Sequence, residues 1–463
     1  MSAVGRSLLL LMLCVGTASA DGVTLPPSER VVLDNGIVLI LSEKHDVPLI
    51  GVEVVLRGGA VADPVDKNGL ASLFASLLEK GAGDRNSAQF AEAIDAVGGN
   101  LSAAAGLESI TISGDFLARD GALLVELLAD MLQRPALLRG ELDKLRERSI
   151  NSIRAAKDSD PGKLMPIYGS AFLFGDHPYG NSIVGSESSL KNISHADLRS
   201  YYERQVGADR LIIVVSGDFE TNEMRGKLSA AFGDWRHASE PVVQVDAPPK
   251  QGGGRVLLID KPGATQTYFW IGNVGVSQTY AQSADLDLAN TVFGGRFTSM
   301  LNTALRIESG LSYGARSRLS RNSQPGYVAI VSYTRTDATV EAIDMALGVL
   351  GQLHDTGIDA AMIASARNYV MGQFPTDLET AAQLAAIFAL LEAGGLEHSY
   401  IDNYAAAVAA VNGESIAAVI ADVYPGKDEL VYVLLGDAEV IRESIGKYGS
   451  VTELSITEPH FRH

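Results

Sequence analysis

Apolar positions along the chain recur with two different periods. From Val31 to Leu41 two β-branched runs flank Asn35-Gly36, the pairing that favours a tight hairpin turn. Leu49 to Leu56 is a further apolar strand, and Ile110-Thr111-Ile112 alternates like a half-exposed one. Between strands the period changes: Leu123, Leu124, Leu127, Leu128, Met131 and Leu132 form an i, i+3, i+4 stripe that predicts an amphipathic helix. The second half repeats the alternation, with a strand over Tyr327 to Tyr333 followed by a helix over Ala342 to Leu353. Hairpin signals mixed with long helices predict an α+β architecture of mostly antiparallel sheets flanked by helices.

The stretch 236–255 contains Pro241, Pro248-Pro249 and Gly252-Gly253-Gly254 with little apolar periodicity, so it is expected to be a linker between domains at 28–235 and 256–450. No Lys-Ser/Thr follows the three glycines, which excludes a phosphate loop. The two halves resemble each other in order. Leu211 to Asp218 matches Leu430 to Asp437 at an offset of 430 − 211 = 219; Arg146 and Arg367 lie 221 apart; Leu78-Glu79-Lys80-Gly81 aligns with Val292-Phe293-Gly294-Gly295 at 214. A near-constant offset predicts a duplicated domain.

Residues 1–20 have a separate character: one charge at Arg6, an apolar run from Leu8 to Gly16, then Ala18-Ser19-Ala20 before Asp21. This is the pattern of an export signal peptide, too short for a membrane span, and predicts a periplasmic protein. The one cysteine, Cys14, falls inside it, so the mature chain would have no disulfide and no cysteine-ligated metal. About 440 mature residues suit two domains rather than one core. The formal charge of −19 disfavours nucleic acid as a partner and, taken alone, weakly favours basic peptide ligands.

The chemistry is concentrated in two stretches. The first is Gly69-Leu70-Ala71-Ser72-Leu73-Phe74-Ala75-Ser76, followed by Lys80-Gly81. It resembles the zinc helix of the pitrilysin/insulinase-type peptidases, the M16 or inverzincin family, in which Gly-Leu-Ala introduces His-x-x-Glu-His. The resemblance covers roughly residues 28 to 450 and implies two homologous α/β-roll domains facing each other like halves of a shell. At the positions that the family gives to ligand, general base and ligand this chain has Ser72, Ala75 and Ser76. Neither a hydroxyl nor a methyl can ligate zinc or activate its water at neutral pH. The family's third ligand would fall about 75 to 80 residues further on, in Asn151 to Ala156, a window without a carboxylate and with a cation at Arg154. No metal and no cofactor is therefore expected in this chain.

The second stretch runs from Phe293-Gly294-Gly295 through Ser299-Met300-Leu301-Asn302 to Leu305-Arg306-Ile307-Glu308-Ser309-Gly310-Leu311-Ser312-Tyr313. It is similar to the C-terminal-domain pattern of the same family, where an Arg and a Tyr seven residues apart reach into the active site. Arg306 and Tyr313 hold those positions, and a fixed guanidinium and phenol are suited to donating hydrogen bonds to an oxyanion or a peptide backbone. Without the family pattern, Arg306 is a solvated helix face and Tyr313 the start of a strand. Gly98-Gly99-Asn100-Leu101-Ser102 leads into a strand and is either an ordinary hairpin glycine pair or the edge at which the family pairs extended peptides, with Gly99, Asn100 and Leu101 binding substrate. Asp176-His177-Pro178-Tyr179-Gly180 is expected to be structural. His45, His195, His237, His354 and His398 are too scattered to suggest a metal site, and Ser72 with Ser76 has no neighbouring base to make a nucleophile.

The resemblance then implies a non-catalytic subunit of a heteromeric M16 zinc metalloendopeptidase. Its partner would be a zinc-bearing homologue with an intact His-x-x-Glu-His, and it would act on peptides by supplying Arg306 and Tyr313 in trans. The alternative is a catalytically inactive structural or peptide-binding scaffold of the same fold.

Overall fold

A computed structural model describes residues 24–462; the expected signal peptide at 1–20 lies outside them. Two six-stranded sheets form the framework, with a short hairpin of β4 (Gly81–Ala82) and β5 (Arg85–Asn86) beside the first. The first sheet contains β1 (Glu29–Val32), β2 (Val38–Glu43), β3 (Leu49–Arg57), β6 (Asn100–Ala105), β7 (Ser109–Leu117) and β8 (Leu211–Gly217), in the order β1-β2-β8-β3-β7-β6. The second contains β9 (Arg255–Asp260), β10 (Gln266–Val274), β11 (Ala315–Arg321), β12 (Pro325–Arg335), β13 (Val431–Gly436) and β14 (Ser450–Ser455), in the order β11-β12-β10-β13-β9-β14.

Five strands of each sheet share one topology. β2 with β8 and β9 with β13 are parallel; β3 and β10 pair antiparallel on both sides; β6 and β11 are the corresponding edges. The sheets are mostly antiparallel, as the hairpin signals predict. Arg146 and Arg367 are also equivalent in what they do: the first donates from Nη2 to the carbonyl of Ile193 at 2.7 Å, the second from Nη2 to that of Val411 at 2.8 Å. Each carbonyl belongs to the residue before the N-cap of the next helix, Ser194 and Asn412.

β8 and β13 are continuous apolar runs because both faces of each sheet are covered. The second cover comes from the opposite half. The helix Ala381–Gly394 lays Leu384, Ala385 and Phe388 on Ile40, Val55, Ile212 and Val214 of the first sheet. At Gly51 an added Cβ would stand 2.4 Å from the backbone of Ala382, which is why the strand has a glycine there. Reciprocally, the helix Met165–Phe174 covers the second sheet, with Gly169 against the buried Trp270 ring. The starts of these helices lie 381 − 165 = 216 residues apart, so the duplicated halves exchange corresponding helices.

The segment 236–255 has no helix or strand before β9, yet it is fixed as a strap. Ala208 N donates to the Arg236 carbonyl, Arg210 reaches the Glu240 carbonyl, and Val243 and Val245 pack on the core. The halves are further joined at Tyr179, 2 % exposed, whose hydroxyl donates to Glu108 at 2.6 Å and accepts from Gln324 N at 3.0 Å, while Glu108 also accepts from Ser323 N at 2.8 Å. The Asp176–Gly180 motif therefore ties the β6–β7 turn to the β11–β12 turn. Tyr179→Phe leaves the Gln324 N–H and a Glu108 oxygen short of a partner, an expected cost of about 1–3 kcal/mol readable by urea denaturation.

Candidate functional site

The helix Leu70–Leu78 begins after Gly69, whose φ of +96° is the left-handed region that a glycine adopts without strain. A Cβ at Gly69 would lie 2.9 Å from Gly185 Cα. Asp63 caps this start, accepting from Gly69 N at 2.8 Å and Ala71 N at 2.9 Å. Burial pushes its carboxyl up to about 7 from the usual 3.8, against the opposing effect of the backbone N–H groups. The folded chain therefore holds a proton that the unfolded chain releases near pH 4. This contribution to stability is fully present below about pH 4 and is lost as pH rises through about 7. Asp63→Asn should flatten the decline in unfolding free energy between pH 5 and 7.5, by an amount on the order of a few kcal/mol at about 1.4 kcal/mol per pKa unit.

Along that helix Ser72 and Ser76 are half-buried and Ala75 is 1 % exposed, packed in the same core as Leu73, Phe74 and Leu77. The helix Arg139–Ser159 packs beside it, and within 151–156 the buried residue is Ile153, an apolar side chain. Arg154 is exposed and its Nε donates to Glu187 at 2.7 Å, a carboxylate it shares with Lys157 at 2.9 Å, so its side chain is directed at that carboxylate rather than at the zinc helix. Among the described residues no group of three or more His, Cys, Asp and Glu is placed to hold a metal. A family zinc ion does not fit residues of this kind.

The Gly98–Ser102 segment places Gly99 on the Phe116 ring, where a Cβ would come within 2.8 Å, and starts β6 at Asn100. Leu101 is buried, so only its backbone is available to a ligand. β6 is an edge strand, but its outward-facing Ala103 N–H donates to Glu79 Oε1 at 2.7 Å. The first sheet's free edge is thus capped at its centre by a carboxylate from the end of the degenerate zinc helix.

Arg306 and Tyr313 are brought together. Arg306 lies on a π-helical turn, Thr303–Glu308, a geometry often found at functional sites and invisible to a 3.6-residue periodicity. Its guanidinium stands 4.2 Å from the Tyr313 ring centroid and 4.8 Å from that of Phe297, held between two aromatic faces. The arms of this clamp are pinned by Asn302, buried, which donates from Nδ2 to the Phe297 carbonyl at 2.7 Å and accepts from Ala315 N at 3.2 Å. Ser332 Oγ donates to the Gly314 carbonyl at 2.9 Å and Thr334 Oγ1 to that of Leu311 at 2.7 Å, fixing the loop that carries Tyr313. Phe297 and Asn302 belong to the quoted motif, yet only the structure shows them as the clamp and its anchor.

The clamp opens into a cavity of about 630 Å³ at the seam of the two halves, with Lys163 and Met165 from the first and Arg306, Tyr313, Tyr268 and Tyr333 from the second among its walls. Ser72, Ala75 and Ser76 are not among them: within one chain the zinc-helix positions and the Arg/Tyr pair do not share a cavity.

Among the described residues no single helix is long and apolar enough to cross a membrane. Residues 38–187 match the family model described as Insulinase (Peptidase family M16), and residues 192–370 match that of the Peptidase M16 inactive domain. An uncharacterized zinc protease of Mycobacterium tuberculosis is 25 % identical over 405 residues, covering 86 % of this chain and 89 % of that protein. The non-peptidase homolog YmxG of Helicobacter pylori is 21 % identical over 350 residues, 74 % of this chain and 78 % of its own length. The crystal structure of a peptidase M16 inactive domain from Pseudomonas fluorescens superposes with a TM-score of 0.82 at 18 % identity, over 89 % of this chain and 98 % of that one. Two duplicated α/β halves and the matched models over both of them lead to one conclusion: the chain belongs to the M16 peptidase family, as a member without the family's zinc ligands.

Proposed function

We propose that this chain is the non-catalytic subunit of a heteromeric M16 zinc metalloendopeptidase, exported to the periplasm through residues 1–20. The observation that carries this reading is the asymmetry between its two motifs. Ser72, Ala75 and Ser76 leave nothing to bind a metal, while Arg306 and Tyr313 are held ready by Phe297, Asn302 and the Ser332 and Thr334 hydrogen bonds. Preorganised donors are useful only where charge develops. A partner homologue with intact His-x-x-Glu-His would supply the zinc and activate the water; Arg306 and Tyr313 would donate to the oxyanion formed as the peptide carbonyl is attacked.

In this assembly the site is completed across the subunit interface, so neither chain alone would be an efficient peptidase. Co-elution of the mixed chains in size exclusion, with turnover raised above that of the homologue alone, is the expected outcome. Two unassociated peaks at micromolar concentrations would contradict it. Of the two forms of inactive scaffold, the structural one gains support from one observation, Glu79 on the Ala103 N–H, because a capped edge cannot pair a peptide strand until Glu79 moves. In that case the complex would form without any gain in turnover.

A further inference from the structure

The clamp cavity runs against the charge of the whole chain. The formal charge is −19, yet the charged residues lining the cavity are Lys163, Arg296, Arg306, Arg316 and Arg318 against Asp160, a balance of 5 − 1 = +4. Lys163 is neutralised by Asp160 at 3.0 Å. None of the four arginines has a carboxylate within ion-pair distance among the described residues, although nearby Arg321 does, pairing with Asp287 at 2.5 Å. Arg296 donates from Nη1 to Ser365 Oγ at 3.0 Å, and its buried Nε has no partner. Four cations gathered without counter-charges repel one another, and such an arrangement is relieved by an anionic ligand.

Their spacing narrows the ligand. Arg316 and Arg318 are exposed on β11 and alternate with Ser317, which is buried. Side chains two apart on a strand are separated by about 6.5–7 Å, the same repeat as alternate side chains of an extended peptide lying beside it. β11 is the edge strand of the second sheet, with β12 as its one neighbour. It corresponds to β6, whose edge Glu79 caps; on β11 the Ala315 N–H is taken by Asn302 Oδ1 and the backbone of Gly294 lies against Ser317 N, so a ligand here is held by the arginine side chains and not by strand pairing.

We propose that this cavity binds acidic peptide segments in extended form, with carboxylates at alternate positions taken by Arg316 and Arg318 and a further one by Arg296. The expectation of basic ligands drawn from net charge is thereby reversed at the site itself. This deepens the reading of the chain as a peptidase subunit by naming its substrate class, and it rests on that reading only for the consequence, not for the binding.

The test uses the isolated full chain and fluorescence anisotropy, with a fluorescein-labelled decapeptide carrying Glu at alternate positions and its Gln and Lys counterparts. The Glu peptide should bind about tenfold more tightly than the Gln peptide. The preference should shrink as salt rises. R316E/R318E should abolish the preference and R316Q/R318Q should reduce it, with unchanged circular dichroism and melting, since both side chains are exposed. Equal affinity for Glu and Gln peptides, tighter binding of the Lys peptide, or displacement by an oligonucleotide of equal charge at lower concentration than by the unlabelled Glu peptide would each overturn the proposal. No partner is present in this assay. A failure to activate a zinc-bearing homologue would thus refute the subunit reading alone, and equal peptide affinities would refute the acidic preference alone.

Discussion

Arg306→Ala or Tyr313→Phe, placed in a complex reconstituted with a zinc-bearing M16 homologue, should lower kcat by about 10² to 10³, the usual cost of removing one oxyanion donor. The loss should fall on kcat rather than KM, because a donor aimed at the developing charge contributes little to the ground state. Arg306→Lys should be nearly as damaging as the alanine. An ammonium cannot stack between the rings of Phe297 and Tyr313 or present a planar fork of donors. Partner zinc content and the size-exclusion profile should stay at wild-type values. A loss confined to KM would mean that the pair grips the peptide equally throughout the reaction, and unchanged kinetics would return both residues to a structural role.

The second large effect concerns an attempted repair. Ser72→His, Ala75→Glu and Ser76→His together restore the family's motif on paper, but Ala75 is 1 % exposed and packed among leucines and Phe74. A carboxylate forced into that space is either desolvated or displaces its neighbours, at a cost on the order of several kcal/mol. Two histidines without a third ligand hold zinc weakly, and the buried residue of the third-ligand window is Ile153. The triple variant should therefore melt several degrees lower, take up no stoichiometric zinc by elemental analysis and hydrolyse no peptide, with Ala75→Glu alone accounting for most of the destabilisation. One tightly held equivalent of zinc with hydrolysis at a rate near that of an intact relative would show that the third ligand comes from elsewhere.

Much of this was legible in the residues. Asn35-Gly36 marked the β1–β2 turn, and the matched runs at Leu211 and Leu430 marked the central strands β8 and β13, because strand formation there depends on local apolar content. The Arg146 and Arg367 pair announced the duplication through chemistry that each half needs once. What stayed hidden depends on contacts between residues far apart. The exchange of the helices Met165–Phe174 and Ala381–Gly394 leaves no local trace beyond Gly51 and Gly169, whose missing side chains have meaning only when the opposing backbone or Trp270 is known. At the site, the motif located Arg306 and Tyr313 but not the role of Asn302, nor the π-helical turn that sets the guanidinium between two rings. Net charge sums the whole surface and so does not reveal the local excess of cations at the cavity, where Arg296, Arg316 and Arg318 come together only after β11 and the Gly294-Gly295 turn are in place.

On the proposed function, this chain completes another chain's active site. The direct measurement is a titration of a zinc-bearing M16 homologue with this protein, followed by initial rates of peptide hydrolysis. The expected result is turnover that rises and saturates at one equivalent, with Arg306→Ala binding at the same stoichiometry but leaving turnover near that of the homologue alone. A rate that stays flat through saturation of binding, or one restored equally by the Arg306→Ala chain, would contradict it.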